Sequence, residues 1–440
     1  MDRRRFLFKS GVAISTSALF SACNTAPSQP TAALVQELSF NSWEDIRKQF
    51  LFSRDRIHMS QMLLAAHPKM VRDAIQKHRD GFDENPVEYW ENNWTTIEGE
   101  IRKKASEYMD VAPEEIALTD STTMGLAMLY SGLKLTSANE ILTTTHDHYA
   151  TEKALEHAVA KSGASIKRVS LYDDPSKASV DEMVEVLRKG ITPKTKIVAI
   201  TFVHSCTGVK TPVKQIATMI KEQNNKRAEA DRIYLCVDGV HGFGIENVSI
   251  RDLGCDFLAA GTHKWIFGPR GTGVLYAKKD AWNMIGPIIP SFEWNAYISW
   301  MDLFPADKLT YAELCSPGGF HSFEHRWSLG EAFQFQLNIG KARVEERSHQ
   351  LTNRLKQGLA GIRHIKIITP ISEEVSAGIN CFEVEGMKHL DVVKKLLTKK
   401  IIASESPYKK SYVRLTPSII NTEEEVDICL RELERIKETV

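Results

Sequence analysis

The sequence predicts an α/β protein: a large domain on a mainly parallel seven-stranded sheet, then a smaller α+β C-terminal domain. Three observations predict it. First, seven short β-rich runs alternate with helical patterns through the middle of the chain, the mark of βαβ units. Second, the C-terminal part changes character, opening on a long helical pattern and continuing in shorter strands and helices. Third, 440 residues are too many for one small domain.

The elements follow in chain order. Residues 1–22 read as an address rather than fold. Arg3, Arg4, Arg5 and Lys9 precede a mildly apolar run of small residues too short to span a bilayer. Arg3-Arg4-Arg5-Phe6-Leu7 resembles a twin-arginine signal, which implies export by that machinery to the periplasm. Leu19-Phe20-Ser21-Ala22-Cys23 resembles a lipoprotein cleavage site and makes Cys23 a candidate lipid anchor. Residues 23–36 are polar with two Pro and read as a tether. The large domain is expected over 60–315, and the small domain over 37–59 and 316–440.

Within the large domain the expected strands are Glu115–Thr119, Glu140–Thr144, Ser165–Val169, Lys196–Phe202, Ile233–Val237, Phe257–Ala260 and Gly273–Ala277. Helices are expected at Met124–Leu133, Thr151–Ser162, Val180–Leu187 and Val213–Gln223. Beyond them come one helical stretch from 328 to 359, strands at Ile365–Ile368, Ala377–Val384 and Val413–Leu415, and helices at Leu390–Leu397 and from Glu423.

Composition excludes several classes. The formal charge is +0, with 56 basic against 56 acidic residues, so there is no overall basic footprint for nucleic acid. Seven scattered Cys form neither a disulfide framework nor a zinc knuckle. No Walker A sequence is present, and Gly239, Gly242 and Gly244 have the wrong spacing for a dinucleotide fingerprint.

Ligands on parallel sheets bind at the carboxyl ends of strands, so the residues just after each run matter most. Asp238 ends one apolar run, and a carboxylate there is costly to bury without a cationic partner. Lys264 follows the next run, in Thr262-His263-Lys264, with Gly268-Pro269-Arg270-Gly271-Thr272-Gly273 behind it. Pyridoxal 5′-phosphate needs both groups: a Lys to hold its aldehyde as a Schiff base and a carboxylate to pair with its protonated pyridine nitrogen. Its phosphate needs an anion site, and Asp120-Ser121-Thr122-Thr123 opens a helix, where free N–H groups and hydroxyls converge. His146-Asp147-His148-Tyr149 offers a ring to stack on the pyridine. His204, Ser205 and Thr207 offer hydrogen bonds to its phenolic oxygen.

The lysine motif resembles that of class V aminotransferases, fold-type I pyridoxal-phosphate enzymes. Asp238-Gly239-x-His241, and Val413-Arg414-Leu415-Thr416-Pro417 with Asn421-Thr422, resemble the isopenicillin N epimerase-like branch. The resemblance implies Lys264 as the Schiff-base lysine, Asp238 as the pyridine partner, and His241 and Ser205 beside the phenolic oxygen. It implies Ser121, Thr122 and His263 at the phosphate, His148 stacking on the ring with Tyr149 as runner-up, and Arg414 on the substrate carboxylate. It also implies a homodimer. Many relatives carry Gly-Thr after Phe-Glu to reach the neighbouring subunit's phosphate; here Phe323-Glu324 is followed by His325-Arg326.

The expected reaction is transamination or epimerisation of an α-amino acid. A cysteine desulfurase or C–S lyase is the alternative. Against desulfuration, Ile401–Tyr412 contains no Cys where such enzymes carry their nucleophile; Cys381 and Cys315 are the nearest candidates. Aromatic segments Ser291–Met301 and Pro317–Phe323 suit a pocket wall. A different class, a metallohydrolase using His146, His148, His321 and His325, would leave Lys264 and Asp238 idle.

Overall fold

The computed structural model describes residues 40–436; the leader, Cys23 and the tether lie outside them. A seven-stranded sheet runs in the order Ile116–Thr119, Gly273–Ala277, Phe257–Gly261, Tyr234–Asp238, Thr195–Thr201, Glu140–Thr144, Ser165–Val169. All strands are parallel except Gly273–Ala277, which is antiparallel to both its neighbours. The seven expected runs are these seven strands, with ends that differ by at most one residue. One of those differences matters: Asp238 is the last residue of its strand rather than the first after it.

The central strands are buried on both faces, so they read as continuous apolar runs rather than as an alternation. Alternate side chains nevertheless enter different cores. Val198 and Ile200 meet Met183, Leu187, Ile216 and Met219 from Val180–Gly190 and Val213–Asn224. Ile197 and Ala199 meet Leu126, Leu129 and Leu155 from Thr122–Gly132 and Tyr149–Ser162. Three helices that the sequence reading left out, Lys69–Glu84, Pro86–Asn93 and Ile97–Met109, precede the sheet; the first and last cover its first face.

A second, four-stranded antiparallel sheet has the order Ser404–Glu405, Val413–Leu415, Asn380–Val384, Ile365–Ile367. Its core joins Phe382, Val413 and Leu415 to Leu351, Leu355, Val392, Leu396 and Val426. Ile57–His58 pairs in parallel with Ile401–Ile402, tying the segment before the large sheet to this unit. The long helical stretch is two helices, Leu329–Ile339 and Lys341–Gly361, broken at Gly340, whose φ of 91° an L side chain rarely adopts. The break lets Leu329, Ala332 and Phe333 pack on the large sheet while Leu351 and Leu355 pack on the small one.

Candidate active site

Residues following five large-sheet strands meet Arg414 from within a small-sheet strand. Asp238 is 2% exposed, and its carboxylate accepts from Val240 N at 3.1 Å and Thr151 Oγ1 at 3.2 Å. Both donors are neutral, and burial pushes its pKa up to about 6, with Lys264 opposing. A second cation would hold it ionised.

Lys264 Nζ lies 3.3 Å from His241 Nε2. Burial lowers the lysine to about 8, assisted by Arg414 and opposed by Asp238. His241, itself buried, accepts at Nδ1 from the Trp265 indole N–H at 3.3 Å.

His148 caps the helix Tyr149–Ser162, its Nδ1 accepting from Ala150 N at 3.2 Å. Burial lowers its pKa, as do Lys264 and Arg414. Tyr149 is 69% exposed, so of the two ring candidates only His148 faces the cleft. His146 is turned away, stacked on Tyr172 with centroids 4.0 Å apart.

At the opposite end, Ser121 Oγ caps its helix by accepting from Met124 N at 3.1 Å. Thr122 Oγ1 accepts from Gly261 N at 2.7 Å, joining two strand ends. A Cβ on Gly261 would stand 3.0 Å from both Thr122 Oγ1 and His263 Cε1, so only glycine keeps this cradle open. His263 Nδ1 is buried without a partner. A helix N-terminus, two hydroxyls and an orphaned imidazole nitrogen fit a phosphate.

Arg414 sits mid-strand, 2% exposed. Its donors reach Ser404 Oγ at 3.2 Å, Ser205 O at 3.0 Å and Glu405 O at 2.9 Å. All three acceptors are neutral, so the buried guanidinium still lacks a counter-charge. Ser205 Oγ and Tyr408 Oη are 2.8 Å apart, and the Tyr408 ring meets His148 edge-on at 5.8 Å.

Two residues here escaped the sequence reading. Tyr408 comes from the loop expected to lack a nucleophile. Cys206 follows Ser205, with Sγ 3.3 Å from Lys410 O on the same loop. Its position just after a strand end was the available signal. Burial raises the Cys206 thiol above its ordinary value, with Ser406, Arg414 and Lys410 opposing. Cys381 and Cys315 are buried in the cores and face no cleft.

His325 and Arg326 are engaged within the chain. His325 Nδ1 lies 2.9 Å from Arg270 O. Arg326, 1% exposed, donates to Glu98 Oε1 at 3.2 Å, Asp120 Oδ1 at 3.1 Å and Leu118 O at 3.2 Å. It thereby braces the segment that presents Ser121. Replacing Arg326 with Leu leaves Asp120 unpaired and Glu98 with Arg102 alone at 3.9 Å, and should cost about 1–3 kcal/mol of stability. Urea denaturation reads this, and a loss under about 1 kcal/mol would deny Arg326 that bracing role.

The four histidines of the metal alternative do not assemble. Among the described residues, the group able to hold an ion is Glu246, Glu345 and His349, which includes none of them. Lys210 Nζ already pairs with Glu246 there at 2.7 Å.

The sequence model described as aminotransferase class-V matches residues 65–428. The chain belongs to that family. Pyridoxal 5′-phosphate is the cofactor of this class V enzyme, and the site residues suit it. Its sequence is 23% identical over 363 residues to an isopenicillin N epimerase of Amycolatopsis lactamdurans, covering 79% of this chain and 87% of that protein. It is 27% identical over 340 residues to a probable cysteine desulfurase of Halalkalibacterium halodurans, covering 74% and 78%. In fold it matches a solved C-DES Lys-to-Ala mutant with glycine covalently linked to the PLP cofactor. The TM-score is 0.78 at 20% identity, over 88% of this chain and 98% of that one. The cystine C–S lyase C-DES with its product cysteine persulfide gives 0.76 at 20% identity, over 87% and 98%.

Proposed function

We propose that this class V enzyme transaminates or epimerises an α-amino acid held by Arg414. The observation that carries the reading is the buried Arg414 guanidinium, whose bonds all go to neutral oxygens. An α-carboxylate supplies the missing charge in a bidentate geometry. Lys264 would hold the cofactor and then, as the free amine, take and return the proton at the substrate Cα. Asp238 would pair with the pyridine nitrogen, and His148 would cover the ring. Ser205 and His241 would bond the phenolic oxygen, while Ser121, Thr122 and His263 would hold the phosphate. When bound, the cofactor supplies an electron sink for bonds to Cα. The test is a screen of amino acids against the purified protein, read by change in visible absorption and by product analysis. Keto acid or inverted amino acid supports the reading, whereas sulfide or persulfide as the sole product defeats it.

The second reading, C–S lyase chemistry, draws on the relatives named cysteine desulfurase and on Cys206 beside the Arg414 loop. Burial disfavours the Cys206 thiolate, the form that attacks sulfur, which weighs against desulfuration through a protein persulfide; β-elimination needs no such thiolate.

We further propose that the chain is exported folded by the twin-arginine route and works in the periplasm as a homodimer. Arg3-Arg4-Arg5-Phe6-Leu7 supports export, since a cofactor loaded in the cytosol needs a route for folded proteins. Changing Arg3 and Arg4 to Lys should leave the protein inside the inner membrane; normal export of the double variant would remove the assignment. Cys23→Ala should release the protein from membranes if Cys23 carries lipid. The large apolar side chains Trp300, Leu303 and Phe320 are exposed by 79%, 58% and 82%, and their burial on association would favour a dimer. Sedimentation velocity should give a dimer, and Trp300→Asp with Phe320→Asp a monomer; a wild-type monomer would end that proposal.

A further inference from the structure

We infer that Trp265 fixes the single proton of His241 on Nε2, and that this N–H, facing Lys264, disfavours the lysine ammonium relative to the nucleophilic amine. Trp265 would thus be a positioning residue, acting through His241. The inference deepens the reading of Lys264 as the cofactor lysine, and rests on it only for its consequence, not for its geometry.

An indole N–H can only donate. Trp265 Nε1 lies 3.3 Å from His241 Nδ1, so Nδ1 is the acceptor and carries no proton. A neutral imidazole has one N–H, which must then sit on Nε2. His241 is 4% exposed, and burial followed by the Lys264 and Arg414 charges disfavours its cationic form. Nε2 lies 3.3 Å from Lys264 Nζ. An ammonium offers three donors and no acceptor, so against Nε2–H it would place donor on donor. The uncharged amine has a lone pair to receive that proton, so the arrangement selects it.

The relay is held from behind. Trp265 is 4% exposed, and its carbonyl accepts from Gln336 Nε2 at 2.7 Å. Gly378 closes on the indole: a Cβ there would stand 2.8 Å from Trp265 Cη2, so the ring has no room to turn. Other charged or titratable groups also act on Lys264 or lie beside it. Asp238 favours the ammonium, Arg414 opposes it, and His148 and His263 feel its charge. None of these four fixes a hydrogen at Nζ as His241 does.

The test uses the cofactor-free protein labelled with 15N-histidine, with His241 assigned by difference against His241→Gln. Long-range 1H–15N spectra should show wild-type His241 protonated at Nε2 alone from pH 6 to 9. Protonation at Nδ1, or a mixture of both forms, would overturn the inference without any variant. In Trp265→Phe the Nδ1–H form should appear. The pH midpoint for uptake of added pyridoxal 5′-phosphate should also move up by roughly 0.5–1 unit, the worth of one hydrogen bond. An unchanged tautomer and midpoint in Trp265→Phe would equally sink it. Should Lys264 take up no cofactor while His241 shows Nε2–H, the functional reading fails and the tautomer assignment survives; the reverse pattern separates them the other way.

Discussion

Lys264→Ala should abolish the visible absorption of the purified protein and lower kcat by roughly 10²–10⁴-fold or more, the worth of a positioned acid–base group alone. The lysine lies just beyond the end of the fully buried strand Phe257–Gly261, where water cannot easily replace its amine. Burial and Arg414 set its pKa at about 8 against the pull of Asp238. The sign follows from the direction: a lowered lysine is uncharged above its shifted pKa and nucleophilic there. Cofactor uptake by the cofactor-free wild type should therefore rise as pH rises through about 8, not near the ordinary lysine value of about 10.4. Lys264→Arg should keep the charge and lose the uptake, which separates chemistry from electrostatics. Wild-type turnover in Lys264→Ala, or an uptake midpoint near 10, would count decisively against the lysine's role.

How far this site can be read from sequence depends on what each residue's position reports. Strand interiors such as Ile197–Ile200 are apolar because both faces of the sheet are covered, so the seven runs stand out. Lys264 and Asp238 are legible because charge at the end of such a run contradicts its surroundings. Helix Lys69–Glu84 does bury Val71, Ile75 and His78 on one face at helical spacing, so its signal is present in the sequence even though it is not among the expected helices. The break at Gly340 hides because the helical period continues across it, and only the backbone reveals the turn. Tyr408 meets Ser205 across 203 positions, and Trp265 meets His241 through two loops; no local pattern announces either contact. The departure at His325-Arg326 was visible, but its meaning was not. Only packing shows Arg326 turned inward onto Asp120.

Arg414→Ala should raise KM for every active amino acid by about 30- to 4,000-fold. That range corresponds to the 2–5 kcal/mol lost when one partner of a buried, hydrogen-bonded charge pair is truncated. A guanidinium 2% exposed has given up water, and its three neutral acceptors compensate only part of that loss. The sequence tolerates this only where an anion arrives, and the strand position between Ser404 and Cys381 lets Arg414 reach the loop carrying Ser205. Arg414→Lys should recover little, because a point charge cannot bond Ser205 O and Glu405 O while gripping two carboxylate oxygens. The effect should fall on KM and spare the cofactor's absorption, since the groups that fit the phosphate and pyridine lie on other strands. Amino acid amides, which lack the carboxylate, should discriminate poorly between wild type and Arg414→Ala. If Arg414→Ala instead left KM unchanged and stripped the cofactor, the arginine would belong to the fold rather than to the substrate.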